Sequence, residues 1–134
     1  RCQNPRCSMG KNILIIALAS ILVVCAVLQN QYISSSYKDL SAGTDQIQQE
    51  IVGRDVQKTN ESIDAFGRIW EKNSDGWMSL MLHEQVDSIF VNYYLMKDYA
   101  AAGDLDRAAV YLGQLKYALS DVYNIDQLNA RNIF

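Results

Sequence analysis

Beyond position 25 the chain has no cysteine, and beyond position 5 it has no proline. The first absence excludes disulfides from residues 29–134, so that part must be held by packing. The second leaves nothing after Pro5 that forbids long helices. Sustained period-two alternation is missing too, whereas apolar residues recur at spacings of three and four, which argues against strands. There is a single histidine, His83, which excludes any metal site built on two imidazoles. No phosphate-binding glycine loop and no nucleophile elbow occurs, and the carboxylates are spread too evenly to nominate an acid/base pair. The expectation is a protein that is not an enzyme and has no cofactor.

What is present begins with Ile13–Leu28, sixteen positions without a charge, eleven of them Ile, Leu or Val. At about −0.3 to −0.6 kcal/mol per such residue, insertion into a bilayer is favoured by roughly 3 to 7 kcal/mol. A span needs about 20 residues, so Asn12 and the Gln29–Ile33 segment are expected at the two interfaces, with Lys11 snorkelling and Tyr32 among headgroups. Arg1, Arg6 and Lys11 precede the run, while all fifteen acidic residues follow it. The positive-inside rule then puts the N-terminus in the cytoplasm. From Gln29 onward there are nine Lys/Arg against fifteen Asp/Glu, a surface that would seek neither nucleic acid nor anionic lipid.

Two rival readings of the run are weaker. A cleaved signal, with Val24 and Ala26 before the cut, needs an apolar core of about 7 to 15 residues, shorter than this one. A lipidated Cys25 would follow Val24, which is bulky for that place. Met9-Gly10-Lys11 has the form of a start, so residues 1–8 are expected to be non-native. Cys2 and Cys7 alone make a weak metal signal, and Cys25 is expected to act as a small apolar residue. The expected organisation is a cytoplasmic N-terminus over 1–11, a transmembrane helix over 12–32 and an extracytoplasmic helical domain over 33–134.

Gly53, Gly76 and Gly103 divide the last part into four helical stretches, about 36–52, 55–72, 74–102 and 105–123. The first carries Tyr37, Leu40, Thr44, Ile47 and Ile51 on one face and is positioned to continue out of the span. The second has Val56, Ile63, Phe66 and Trp70, and the third Leu82, Val86, Ile89, Tyr93, Met96 and Ala100, with Trp77 and Phe90 widening the face. Asp104 caps the fourth, whose stripe is Leu105, Ala108, Leu112, Leu115, Leu119 and Val122. The fold class expected is all-α: an N-terminal transmembrane helix followed by an antiparallel bundle of about four helices, as two hairpins. Val52-Gly53-Arg54-Asp55 and Ala102-Gly103-Asp104-Leu105 look alike. Tyr93–Leu119 resembles one tetratricopeptide-type hairpin, but an array needs about three units.

Among candidate site residues, His83-Glu84-Gln85-Val86-Asp87 resembles the zinc-protease helix but carries Asp87 where the second histidine belongs. His83 is expected to flank the core stripe and hydrogen-bond Asp87, one turn on. Trp70 and Trp77 are expected to straddle a helix corner in the core, and with His83 and Asp87 they form the one cluster a small ligand or ion could use. Six tyrosines crowd the last two helices, more than a core stripe can take, so an outward partner surface is expected at Tyr94, Tyr99, Tyr111 and Tyr117.

Trp70, Trp77, Leu80, His83-Glu84, Asp87, Ile89, Gly103-Asp104, Ala108, Leu112, Leu115 and the final Asn132-Ile133-Phe134 together resemble the domain of unknown function family 4363, over nearly everything after Met9. The resemblance implies a small bacterial protein, of a kind common in Gram-positive spore formers, with an N-terminal span, a helical tail and no assigned activity. It also implies a YetF-like membrane protein as a candidate partner. The functional expectation is a membrane-anchored accessory protein, tethered to the cytoplasmic membrane through Ile13–Leu28 and contacting another membrane or envelope protein. The alternative is an extracytoplasmic sensor that binds a small molecule or ion inside the bundle.

Overall fold

With no proline after Pro5, nothing interrupts the helical backbone between the apolar run and the residues beyond it. The computed structural model describes the backbone over residues 5–133 and side chains at 10–125 and 127. Among the described residues there are four helices and no strand: α1 (Pro5–Val52), α2 (Val56–Leu80), α3 (His83–Ala101) and α4 (Leu105–Ile133). The side chains of Cys2, Cys7, Asn132, Ile133 and Phe134 lie outside the described residues.

Helix α1 is a single element with two characters. Ile13–Leu28 is exposed nearly all round, with the length and composition of a membrane span or a signal sequence. From Ile33 onward the helix buries one stripe, Ile33, Ser36, Leu40, Thr44, Ile47 and Ile51, chiefly against α2 and α4. Helix α2 answers with Thr59, Ile63, Phe66, Trp70, Asn73 and Trp77, and α3 with Val86, Ile89, Tyr93, Met96 and Ala100. Helix α4 completes the core with Leu105, Ala108, Leu112, Leu115, Leu119 and Val122. All four stripes step by three and four, so one face of each helix is removed from water. Helix α1 packs chiefly on α2 and α4, and α3 on α2 and α4. Buried Ser36, Thr44 and Asn73 return hydrogen bonds to carbonyls of their own helices at Ile33, Ser41 and Ile69, so their polar atoms are not stranded.

Two turns share one design. After α1, the Arg54 N–H donates to the Ile51 carbonyl (3.0 Å) and the Asp55 N–H to that of Glu50 (3.3 Å). After α3, the Gly103 N–H donates to Ala100 (3.0 Å) and the Asp104 N–H to Tyr99 (2.9 Å). Both are Schellman closures, with Arg54 (φ 56°) and Gly103 (φ 78°) in the left-handed region. Asp55 and Asp104 then cap α2 and α4, accepting from the N–H of Lys58 (3.0 Å) and Arg107 (3.1 Å). The likeness noted in the sequence is therefore real but offset by one residue, since Arg54 and not Gly53 matches Gly103.

The third corner corrects the sequence reading. No break occurs at Gly76; α2 runs on to Leu80 and α3 starts at His83. An added Cβ at Gly76 would meet the Tyr32 ring, 2.8 Å from Cε1, so this glycine seats a neighbouring side chain. Leu82 is exposed instead of joining the core stripe, and α4 extends to Ile133, well past position 123.

Candidate functional site

The tyrosine surface divides once the helices are in place. Tyr99 and Tyr111 stack across α3 and α4, with centroids 5.4 Å apart and planes 5° from parallel, and Arg107 lies 5.5 Å over the Tyr99 ring. They form a half-buried seam that holds two helices together. Tyr37 and Tyr123 make a second seam, between α1 and α4, at 4.2 Å and 8°. Tyr94 and Tyr117 are the two outward members of the expected set.

Tyr94 has company that the sequence reading missed. Phe90 lies on the exposed side of α3, 4.7 Å from Tyr94 between centroids, and Val91 is exposed beside them. Phe90 had been expected to widen the buried face. The signal was available: Phe90, Val91 and Tyr94 share a face at i, i+1 and i+4, out of phase with Ile89, Tyr93 and Met96. Beneath this patch Tyr93 packs edge-on to Tyr94 (5.2 Å) and tilted against Phe66 (5.6 Å), so aromatic contact runs from the exterior to α2.

At the margin of that stack Lys97 pairs with Asp64 at 2.9 Å, tying α3 to α2. The hydrogen bond that Lys97 donates to Asp64, with Tyr93 adding to it, holds the ammonium above its usual range. Burial pushes the Tyr93 phenol up, while the charge on Lys97 acts against it.

The ligand cluster imagined from sequence does not assemble as one site. Trp70 and Trp77 lie on the same helix, two turns apart and not astride a corner, packed edge to face at 5.9 Å and buried. Trp77 donates its indole N–H to Ser36 at 2.8 Å. The buried Trp70 Nε1 has no hydrogen-bond partner among the described residues. His83 and Asp87 are exposed on the first turns of α3, and among the described residues no hydrogen bond joins them. His83 follows Leu82 on the first turn of α3, outside the buried stripe that begins at Val86, and its side chain is exposed. Among the described residues no three His, Cys, Asp or Glu side chains gather to hold a metal.

Between α1 and α2 runs an open groove of about 760 Å³, bordered by Tyr32, Ser36, Asp39, Arg68, Lys72 and Asn73. Tyr32 closes its floor by donating to the Asn73 carbonyl at 3.3 Å. What these features offer chemically is contact: an aromatic patch on α3 and a polar groove beside the helix that leaves the apolar run.

No curated protein and no solved structure matches this chain. A family model does match, over residues 27–133, beginning where the apolar run ends and not near Met9 as the resemblance had implied. The chain thus belongs to the family described as domain of unknown function (DUF4363).

Proposed function

We propose that this protein is a non-enzymatic accessory protein of the cytoplasmic membrane, spanning it once and presenting a four-helix bundle outside for contact with another membrane or envelope protein. One observation carries the reading: α1 is unbroken from an exposed apolar segment into the stripe that builds the core, so anchor and bundle are one rigid piece. Lys11 directly before the run, with no Lys or Arg after it until Lys38, supports an N-terminus in the cytoplasm. The bundle is read as antiparallel, two hairpins side by side. In support, partners of rising number on α1 (Asn30, Tyr37, Asp45) have falling numbers on α4 (Gln127, Tyr123, Lys116). Between α2 and α3, Asn60 meets Ala100 and Asp64 meets Lys97, with the same sense.

The contact surface is Phe90, Val91 and Tyr94 on α3, with Tyr117 on α4. Exposed aromatic residues of this kind dominate the energetics of partner surfaces. The α3 patch adjoins Tyr93, which reaches Gly67, and the neighbouring Phe66 reaches Gly43, so it stands about 20 Å beyond Leu28 at 1.5 Å per residue. A partner held at that fixed height is most simply another protein of the same membrane.

A photo-crosslinking residue placed at Tyr94 or Tyr117 in the native host tests this reading. One membrane protein should be captured from both and not from Glu61, which is exposed on α2. Capture at all three positions alike, or at none, sinks it. In the same cells a single cysteine at Gln57, with Cys2, Cys7 and Cys25 replaced by serine, should react with an impermeant maleimide; protection there would reverse the proposed orientation.

The sensor reading retains one observation, the unpartnered indole N–H of Trp70 in the core. A small ligand with an acceptor atom would satisfy it, and tryptophan fluorescence titrations against the Trp70→Phe variant would reveal such binding.

A further inference from the structure

Three corners join the four helices, and they are not alike. The two that carry Asp55 and Asp104 are charged and capped; Val52 is exposed at one of them but stands among Arg54, Asp55 and Asp106. The third is Leu80-Met81-Leu82, with extended backbone at Met81 (φ −116°, ψ 164°) and Leu82 (φ −67°, ψ 136°). Leu82 takes the N-cap place of α3 with no side-chain cap bond, where Ser, Thr, Asp or Asn would supply one. It is 72% exposed, Leu80 39% and Met78 44%. An apolar, uncapped corner is a poor surface for water.

Its height explains it. Ser36 meets Trp77 and Tyr32 meets Gly76, so α2 descends along α1 toward the apolar run. Four residues past Gly76 is Leu80 and four before Tyr32 is Leu28, the last residue of that run and 59% exposed. At 1.5 Å per residue both steps are about 6 Å, which puts the corner level with the end of the run. Resting on the reading of Ile13–Leu28 as a span, we propose that Met78, Leu80 and Leu82 enter the outer interfacial layer of the same bilayer. The bundle then touches the membrane at two points, its helix and this corner. Such a pair of contacts fixes its rotation about α1 and hence the direction in which the α3 patch faces. His83 and Glu84 follow at headgroup level, where polar groups stay hydrated.

The test uses the full chain in phospholipid nanodiscs, with Cys2, Cys7 and Cys25 replaced by serine and one nitroxide attached at Leu80→Cys or Leu82→Cys. Leu18→Cys serves as the reference inside the run and Gln57→Cys as the reference at the far end. Collision with oxygen should exceed collision with a water-soluble nickel chelate at 80, 82 and 18, and the preference should reverse at 57. Nickel-favoured labels at 80 and 82 beside an oxygen-favoured label at 18 overturn this inference alone. A nickel-favoured label at 18 overturns the span itself and this inference with it. Far-UV circular dichroism of each labelled protein, matching the unsubstituted chain, shows that these exposed positions leave the bundle folded.

Discussion

Trp77 on α2 donates its indole N–H to the Ser36 hydroxyl on α1 across 2.8 Å, and both side chains are buried. Ser36 in turn donates to the Ile33 carbonyl at 3.1 Å, so its hydroxyl hydrogen is already committed and its lone pairs face the indole. The bond sits where α1 leaves its exposed segment and enters the core. Ser36→Ala removes the acceptor and strands a buried donor, which costs about 1–3 kcal/mol. Urea unfolding followed by far-UV circular dichroism should show that loss. Trp70 has no such partner to forfeit, so Trp70→Phe should cost less than Trp77→Phe, and the reverse order would contradict this assignment.

Two glycines inside α2 make a paired comparison. A Cβ at Gly67 would press on the phenol end of Tyr93, 3.1 Å from Cζ, and one at Gly76 on the Tyr32 ring, 2.8 Å from Cε1. The seats look similar, but the tyrosines do not: Tyr93 is 6% exposed and Tyr32 38%. A buried ring cannot swing away, so Gly67→Ala should overpack the core by about 1–3 kcal/mol. Tyr32 can move toward solvent, and alanine improves helix propensity by roughly 1 kcal/mol over glycine. Gly76→Ala should therefore lie near neutral. Thermal melts of the two variants decide it, and a larger loss at Gly76 would show that Tyr32 is the more tightly held ring.

That comparison also marks how far the sequence could be read. The stripes Ile63-Phe66-Trp70 and Leu112-Leu115-Leu119 emerge from spacing because burial demands a period near 3.6, and the structure buries them as expected. Gly103 was legible as a stop because it does what glycine does best, adopting φ 78°. Gly76 was misread as a stop because a glycine that ends a helix and one that receives a neighbour's ring look the same in one dimension. The actual corner is Met81-Leu82, which carries no turn signal and keeps the phase of the α3 stripe, so Leu82 passed for core. Phe90 is a phase error that spacing alone exposes, since it falls out of step with Ile89, Tyr93 and Met96, whereas the exposure of His83 goes with the corner lying at Met81-Leu82.

Arg54 and Gly103 hold equivalent places in the two Schellman closures, and only glycine does so without strain. A side chain in the left-handed region costs roughly 1–2 kcal/mol, of which the greater freedom of glycine in the unfolded chain returns roughly 0.5–1 kcal/mol. Arg54→Gly should thus raise stability by up to about 1 kcal/mol. The exposed ion pair from Arg54 to Asp106, at 2.8 Å, offsets little of this, as surface pairs contribute about 0–1 kcal/mol. Gly103→Ala should do the opposite and lower stability by up to about 1 kcal/mol, since only φ opposes the methyl group and the stiffer unfolded chain offsets part of that strain. Denaturation midpoints measured side by side should move in opposite directions, and a shared direction would remove the equivalence.

Alkaline pH should loosen the contact between α2 and α3 before neutral pH does anything to it. Burial raises the Tyr93 phenol above its ordinary 10.0, and the hydrogen bond that Lys97 donates to Asp64 raises the ammonium above its ordinary 10.5. Each group holds its proton more tightly folded than unfolded, so the unfolded chain binds fewer protons as the pH passes the unfolded values. Stability from both groups is complete below those values and is lost as pH rises through the folded ones. Midpoints should therefore be insensitive to these two groups below about pH 9 and fall beyond about pH 10. Tyr93→Phe removes the phenol and should make the fall shallower, and Lys97→Met should do the same for the ammonium. Both carry the effect only if they shift the slope and not merely the neutral midpoint. An alkaline slope unchanged in both variants would place the titrating groups elsewhere in the bundle.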